Sequence, residues 1–515
     1  MRAFFTRGSV LLAVLFGLPV TAAFAGAAVI CHPDPAGTKT AKVAGNVSHY
    51  RMRGDRVTIV YQGRHGCRRA LWAIGRRLSH VRGAPSSACA ENAFAARAGS
   101  AGRVSLIPGS ADLPDRIRVV AASGSARSWP LPEHVQAVDA FGQTAVFPGS
   151  QREVYAVDLR TGRIALVGLD RRGDVPQIDG PGIVFQDNLA KAHEHSGRTL
   201  MKFIPSAAVH RSLSKAGGPV DLDGSIGSIG MDGYRVVFAI REPGECARIM
   251  YWNVAWNYVS KITDDDERTC HLTANGGEIR SVAIAGIRSE WIIRSRHAER
   301  LLTSNSTACF DRIVAMVPRG NGHLTSLSGD GAALAFSMTN ADERHNELGT
   351  VMERQVQPLV RGEGAPIAVS ADAGRFAVLM RDGTVDLRSA SGESIGTIPN
   401  TGAVAIALRA DHVIVLTRSG RLQVFGAATQ QKLHDWAAPA GAASRVDTQF
   451  GVALLTAGGK VYAVSLDTGR RSVVASVLGN VLAEIEPAGI AYAYNTGSHA
   501  HLRFVPFAEV EKAVG

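Results

Sequence analysis

Several common signals are missing from this 515-residue sequence. After the first twenty residues no segment keeps charge out for the roughly 20 residues that a membrane-spanning helix needs, so no later helical span is expected. No two of the six cysteines stand in a Cys-x-x-Cys spacing, which removes the sequence basis for a zinc knuckle or a thioredoxin-type redox pair. There is no G-x-S-x-G elbow, the nearest approach being Ser228 in GSIGSIG. H-E-x-x-H and a Walker loop are also absent, and DLDGS at Asp221 to Ser225 has two alternating acids where a calcium-binding EF-hand loop needs more. The common linear signatures of hydrolases and nucleotide-binding enzymes are therefore not available to this chain. A site assembled from single residues far apart in sequence stays open.

The first residues have the layout of an export signal: Arg2 and Arg7, an apolar run from Val10 to Val20, then Ala23-Phe24-Ala25. Cleavage is expected after Ala25, giving a secreted or extracytoplasmic chain in the periplasm or at the cell surface. Cys31 follows Val29 and Ile30 rather than a small residue, which argues against a lipid anchor. All six cysteines (Cys31, Cys67, Cys89, Cys246, Cys270, Cys309) lie beyond the signal, where an oxidising compartment lets an even set pair.

The formal charge is +11, and removing Arg2 and Arg7 leaves +9, a dilute excess over so long a chain. The dense part is Arg56, Arg64, Arg68, Arg69, Arg76, Arg77 and Arg82, with no acid among them. A solvated surface is the first reading of that stretch and contact with an anionic envelope polymer or lipid headgroup the second. Nucleic acid is not an expected partner, since no binding motif accompanies the charge.

The dominant feature is a repeat. Short apolar strands opened by Gly or Asp recur as GDRVTIVY (Gly54), GRVSLI (Gly102), GQTAVF (Gly142), GIVF (Gly182), GYRVVFAI (Gly233), GIRSEWII (Gly286), GAALAF (Gly331), GRFAVLM (Gly374), DHVIVLT (Asp411), GVALLT (Gly451) and GIAYAY (Gly489), at a mean interval of about 43 residues. A second strand with alternating character follows each, as in DGTVDLRS (Asp382 to Ser389) and GGKVYAVSL (Gly458 to Leu466). Short strands with turns every 8 to 12 residues and a period of 40 to 45 predict an all-β chain of about eleven four-stranded antiparallel units. Such a unit buries its faces only against neighbours, so a β-propeller is the expected architecture.

Two longer internal matches group the units. Gly54 to Trp72 resembles Gly233 to Trp252, with Cys67 and Cys246 at the same offset from their glycines and Cys89 and Cys270 at nearly the same distance beyond them, which predicts the disulfides Cys67–Cys89 and Cys246–Cys270. Cys31 and Cys309 are left to each other or free. The second match pairs REVYAVDLRTGR (Arg152 to Arg163) with GKVYAVSLDTGR (Gly459 to Arg470), and LMKFIPSAAVHRSL (Leu200 to Leu213) with HLRFVPFAEVEKAV (His501 to Val514). If the latter element ends a domain each time, residues 26–217 hold four units and residues 218–515 seven, both within the usual range for one ring. A single oversized ring, or a ring of about eight with units outside it, is the alternative.

VYAVDLRTGR and VYAVSLDTGR resemble the repeat of the PQQ-like propeller family, and LQVFGAATQQKLHDW (Leu422 to Trp436) is a looser third copy with Trp436 at the closing position. The resemblance implies fold only. No tryptophan follows Arg163 or Arg470, so the family's cofactor is not carried over, and no cofactor is expected. The remaining units are equally similar to the tryptophan-aspartate repeat class and its exported bacterial relatives.

Candidate site residues are few. His193 and His195 could share a metal with a third ligand from elsewhere, and the run Asp264-Asp265-Asp266-Glu267 would suit a hard cation such as calcium; a surface loop and a solvated turn are the plainer readings. His499 and His501 occupy the corresponding part of the last unit. Trp252, Trp256 and Tyr258 read as sheet packing before a sugar platform. The expectation is an exported, non-enzymatic binding or scaffold protein acting on a protein or envelope polymer through the inserts Asp187 to Arg198, Thr263 to Glu278 and Thr339 to Leu348. The rival is a metal-assisted hydrolase or lyase acting on an envelope polymer or lactone, with His and acidic residues converging in the channel of one ring.

Overall fold

The computed structural model describes residues 34–515 apart from residues 64–65, 82–102, 111–112, 122, 151–152, 170–174, 188–198, 263–269, 271–272, 274–276, 286–287, 295–298, 306–313, 317–322, 331–332, 340–344, 353–354, 364–365, 373 and 400; for 299–365 the backbone alone is described. The chain is all-β: eleven antiparallel sheets, ten of them four-stranded, with two short helices among the described residues. Sheets 1 to 4 occupy residues 46–81, 103–130, 139–169 and 177–205. Sheets 5 to 11 occupy residues 225–261, 278–316, 323–363, 366–398, 403–437, 442–476 and 481–506.

Every recurring apolar strand but one is the second strand of its sheet. The sequence there is apolar at consecutive positions because both faces are covered: in Arg235–Arg241 the six residues from Arg235 to Ile240 are all buried. The exception is Arg103–Ile107, the first described strand of the three-stranded sheet 2. Gly233 shows why a glycine opens the second strand. Its φ of +58° lies in the left-handed region, and open space surrounds it, so conformation rather than crowding selects Gly.

Two sheets are completed by strands from far away. Lys39–Val43 pairs with Thr199–Pro205 of sheet 4, Lys39 opposite Phe203, and Val220–Asp223 pairs with His499–Pro506 of sheet 11, Val220 opposite Leu502. After each of these sheets a proline ends the strand and a helix begins: α1 (Ser206–Lys215) follows Pro205 and α2 (Phe507–Val514) follows Pro506. The apolar side of α1 (Val209, Leu213) packs on sheets 3 and 4, that of α2 (Phe507, Val510, Val514) on sheets 10 and 11. The two internally matched segments are thus the same structural element used twice.

Apolar cores lie between sheets 1 and 4, 3 and 4, 5 and 6, 8 and 9, 9 and 10, and 10 and 11. The first strands of sheets 5 to 11 lie side by side in sequence order, and that of sheet 11 also lies against that of sheet 5. First strands of neighbouring sheets share no backbone ladder, so side chains take up their amides. Ser228 Oγ accepts from Val282 N at 3.2 Å, Ser370 Oγ from Leu408 N at 2.9 Å, and Asp447 Oδ2 from Ile485 N at 2.9 Å. Asn495 of sheet 11 both accepts from Ile226 N and donates to Ile226 O of sheet 5. Asp139 Oδ2 accepts from Ile178 N, and Asp179 Oδ2 from Gly54 N, which ties sheet 4 to sheet 1.

The largest core runs through sheets 2, 3, 5 and 11 and joins the first four sheets to the last seven. A buried ion pair crosses it, Arg235 Nη1 to Glu153 Oε1 at 2.9 Å. Glu133, bonded to Ser150 N, is pushed up to about 7 by burial and by the nearby Glu153 carboxylate. Such a pair contributes little net stability, but removing one partner strands the other charge.

Trp129 and Trp436 occupy equivalent places. Trp129 Nε1 donates to Leu159 O at 3.1 Å and Trp436 Nε1 to Leu466 O at 3.2 Å, each ring covering the glycine of a Thr-Gly turn in the next sheet, Gly162 or Gly469. The tryptophan that meets each turn therefore comes from the preceding sheet, upstream of its glycine, and not from after Arg163 or Arg470. A Cβ on Gly469 would stand 2.5 Å from Trp436, and φ is +68°. At Gly420, with φ +74°, a Cβ would meet nothing. Gly420→Ala should cost the roughly 1–2 kcal/mol of a left-handed L-residue. Gly469→Ala should cost clearly more and shift tryptophan emission to the red; equal urea midpoints for the two variants would contradict the docking.

Candidate functional site

The first strands of sheets 5, 6 and 8 to 11 line a cavity of about 560 Å³. Small residues let these strands approach: a Cβ on Gly230 would sit 3.0 Å from Val282 O. Gly230, Ala283, Ser370 and Ala407 stand two positions before the end of their strands in sheets 5, 6, 8 and 9, all on the cavity wall. In sheets 10 and 11 the same place holds Asp447 and Glu484. The first strands of sheets 1 and 5 to 10 also carry a β-bulge near their start. A bulge re-aims a side chain, and the bulged residues of sheets 6, 8 and 9, Arg280, Ile367 and Val404, line the cavity.

Charge is concentrated on the side of sheets 8 to 11. Arg409 Nη2 lies 3.0 Å from both oxygens of Glu486, and its Nη1 3.3 Å from Asp372 Oδ1. Asp372 Oδ2 accepts from Ala410 N at 2.6 Å. Arg445 pairs with Glu484, and Asp447 accepts from the amides of Thr448 and Ile485. One guanidinium thus serves two carboxylates. Burial, with Asp232 and Asp447 nearby, pushes Glu486 up to about 8 against the pull of Arg409, and burial raises Asp447 as well. The cavity can hold a proton near neutral pH and can offer both donors and acceptors to a small polar guest. Its described lining contains no histidine, cysteine or hydroxyl paired to a base.

None of the described residues singled out in the sequence lines this cavity. His193, His195, Asp264 and Asp266 lie outside the described residues, as does Cys89. Among the described residues no three His, Cys, Asp or Glu side chains come close enough to share a metal ion. Cys246 and Cys270 form a disulfide, and Cys67 is disulfide-bonded as well. His501 Nδ1 sits 2.6 Å from Asp221 Oδ1, and His499 Nδ1 3.1 Å from Asp223 Oδ1. These pairs join the completing strand to sheet 11, and Asp221 and Asp223 belong to that strand rather than to a calcium loop. His501 and Arg503 hold the Asp221 carboxyl below the usual carboxylate range. Trp252 is buried with its Nε1 bonded to Asn257 Oδ1, and the Trp256 ring lies tilted against Tyr258 with centroids 4.7 Å apart, both half-buried, so these aromatics are packing. No described helix is long and apolar enough to cross a membrane.

No family model and no curated protein matches the sequence. Among solved structures the chain is similar to the computationally designed Ika8 protein, with 11% identity, a TM-score of 0.34, and coverage of 81% of this chain and 94% of that one.

The raised Glu486 makes a prediction about pH. The folded chain keeps that proton up to about pH 8, whereas the unfolded chain releases it near the ordinary carboxyl value of 4.5, so this group's contribution to stability is full at low pH and declines as pH rises toward 8. Glu486→Gln should therefore lose less thermal stability than the unaltered chain between about pH 5 and pH 9. Parallel Tm curves would show that Glu486 is not the proton-holding group.

Proposed function

We propose that the chain is an extracytoplasmic β-propeller protein, with a ring of four sheets in residues 26–217 and a ring of seven in residues 218–515, that binds a protein or envelope polymer through loops on one ring face. The ordered neighbours of sheets 5 to 11, the Asn495 link back to sheet 5, and the two completing strands support the grouping. Asp179 reaching Gly54 supports the same closure for the first four. The Cys246–Cys270 disulfide fits an oxidising compartment. The two tryptophan-on-glycine dockings at Thr-Gly turns support placing those units with the PQQ-like repeats.

Strand parity carries the binding proposal. In an antiparallel four-stranded unit, connections from second to third strand and from fourth strand to the next sheet leave from the end where the first strand begins. The insert of residues 187–198 joins the second and third strands of sheet 4, that of 339–348 the second and third strands of sheet 7, and that of 263–278 the fourth strand of sheet 5 to sheet 6. All three therefore belong to the same end of their sheets. The other end has mostly tight turns. Interior side chains are committed to packing and to paired charges, which leaves loops as the free surface.

Class averages of the purified chain in negative stain should show a seven-fold ring beside a smaller body. Replacing residues 188–198, 264–269 and 340–344 by short turns, which keeps Asp187, the Cys246–Cys270 disulfide and Thr273, should abolish capture of a partner from the envelope fraction while leaving Tm within about 2 °C. Capture that survives all three replacements would refute the loop assignment.

A further inference from the structure

Where sheet 3 meets sheet 5, two acids crowd one base. Glu153 opens the third strand of sheet 3 and Arg235 the second strand of sheet 5; both are buried, and they pair through Glu153 Oε1 at 2.9 Å. Glu133, half-buried in the connection from sheet 2 to sheet 3, comes up beside them and accepts from Ser150 N through Oε2 at 2.7 Å. One oxygen of each glutamate is left over. A Cβ on Gly149 would lie 2.6 Å from Glu133 Oε1 and 2.9 Å from Glu153 Oε2, so the two oxygens flank the same point, which glycine keeps open. Glu153 Oε2 is buried with no hydrogen-bond partner, and no donor among the described residues reaches Glu133 Oε1.

The described surroundings bring no second cation to these oxygens. Phe147, Tyr155, Tyr234 and Phe504 form a row of rings from sheet 3 past sheet 5 to sheet 11, with successive centroids 5.4, 5.8 and 5.9 Å apart. Burial keeps the phenols of Tyr155, Tyr234 and Tyr251 protonated well past neutral pH. Asp232, directly across the strand pair from Arg235, adds an acid rather than a base. His134, next to Glu133 in sequence, is exposed and bonded to Asp115 at 2.9 Å. Two ionised carboxylates beside one guanidinium would therefore leave a buried charge without a partner, and carboxyl pairs so placed keep a proton instead.

We propose that Glu133 and Glu153 share one proton across Gly149 and, with Arg235, form a catch between sheets 3 and 5 that is closed while the proton is held and slackens once it leaves. The terminal torsion of a glutamate is broad, so a proton on either oxygen has the other as its acceptor. With the proton in place the three side chains carry one negative and one positive charge. Without it a second carboxylate faces the first, at the core that joins the first four sheets to the last seven. Burial and the Glu153 carboxylate push Glu133 up to about 7, whereas a junction opened to water returns it to the ordinary value of 4.5. The catch is thus at full strength below the ordinary value, weakens as pH rises toward 7, and loses little more above it. The hold between the two groups of sheets tightens in mild acid.

Hydrogen exchange of the whole chain, read by mass spectrometry and divided by the intrinsic rate at each pH, tests the catch in the strands Glu153–Asp158 and Arg235–Arg241. The comparison is with Glu133→Gln, which keeps an acceptor for Ser150 N and turns an N–H toward Glu153 with no proton to lose. From about pH 5 to about pH 7.5, exchange in the unaltered chain should rise at least tenfold more than in the variant, and the excess should grow little further by about pH 8.5. Both chains retain Glu486, so its titration cancels in the comparison. The strand Arg421–Gly426 of sheet 9 should show no such excess. Infrared spectra near pH 6, unaltered chain minus variant, should leave one protonated-carboxyl band that is gone by about pH 8.5. Should Glu133→Gln not fold, Glu133→Ala replaces it with the same expectations. An equal rise in both chains, an equal excess in sheet 9, or no difference band overturns the proposal.

Discussion

A four-stranded antiparallel sheet with two apolar faces cannot bury itself, and this constraint governs the molecule. Each sheet's interior faces must be covered by a neighbour, and a linear succession of such sheets leaves two uncovered ends. Here the last sheet of each group takes its fourth strand from residues lying before the group's first sheet: Lys39–Val43 for sheet 4 and Val220–Asp223 for sheet 11. The helices after Pro205 and Pro506 then cover the remaining apolar side of those sheets. Side-chain acceptors on the first strands, such as Ser228, Ser370 and Asp447, do between sheets what backbone ladders do within them.

The same constraint separates structure from function. Second strands are buried on both sides, and the cavity inside the last seven sheets pairs its charges, Arg409 with Glu486 and Asp372, Arg445 with Glu484. Groups so engaged position the strands around the cavity. Recognition, as proposed, falls to what the sheets do not consume: the long connections at one end of the sheets. The buried Arg235–Glu153 pair and the shared apolar core hold the first four sheets against sheets 5 and 11.

The second strands are legible in the sequence because burial on two faces writes an uninterrupted apolar run behind a turn glycine, as in the strand after Gly233. The first strands are not. They alternate small and polar residues, as in SIGSIGMD, and a bulge breaks their period near the start. The completing strands are short, and their partners lie at the opposite end of the group of sheets, so no local pattern announces them. A closing tryptophan is expected after each Thr-Gly turn, yet Trp129 and Trp436 stand before the turns they cover, since the contact crosses from one sheet to the next. The charged cavity escapes a linear reading for a related reason: Asp372, Arg409, Asp447 and Glu486 come from successive sheets, one repeat unit apart each time. That recurrence, always at or near the end of a first strand, is the signal that could have found them. The two-histidine elements are legible as types but not as roles; His499 and His501 serve the strand pairing of sheet 11.

In the proposed ring of sheets 5 to 11, closure depends on completion of the last sheet by Val220–Asp223, a strand from far upstream in the chain. Asp223 and His499 are direct partners across that junction and both exposed. A chain carrying Asp223→Cys and His499→Cys should form the new disulfide under mild oxidation, recovered as a cross-linked peptide by mass spectrometry, whereas Asp223→Cys with Thr496→Cys should not. Failure of the first pair to join in the folded chain, or equal joining of both, would contradict that closure.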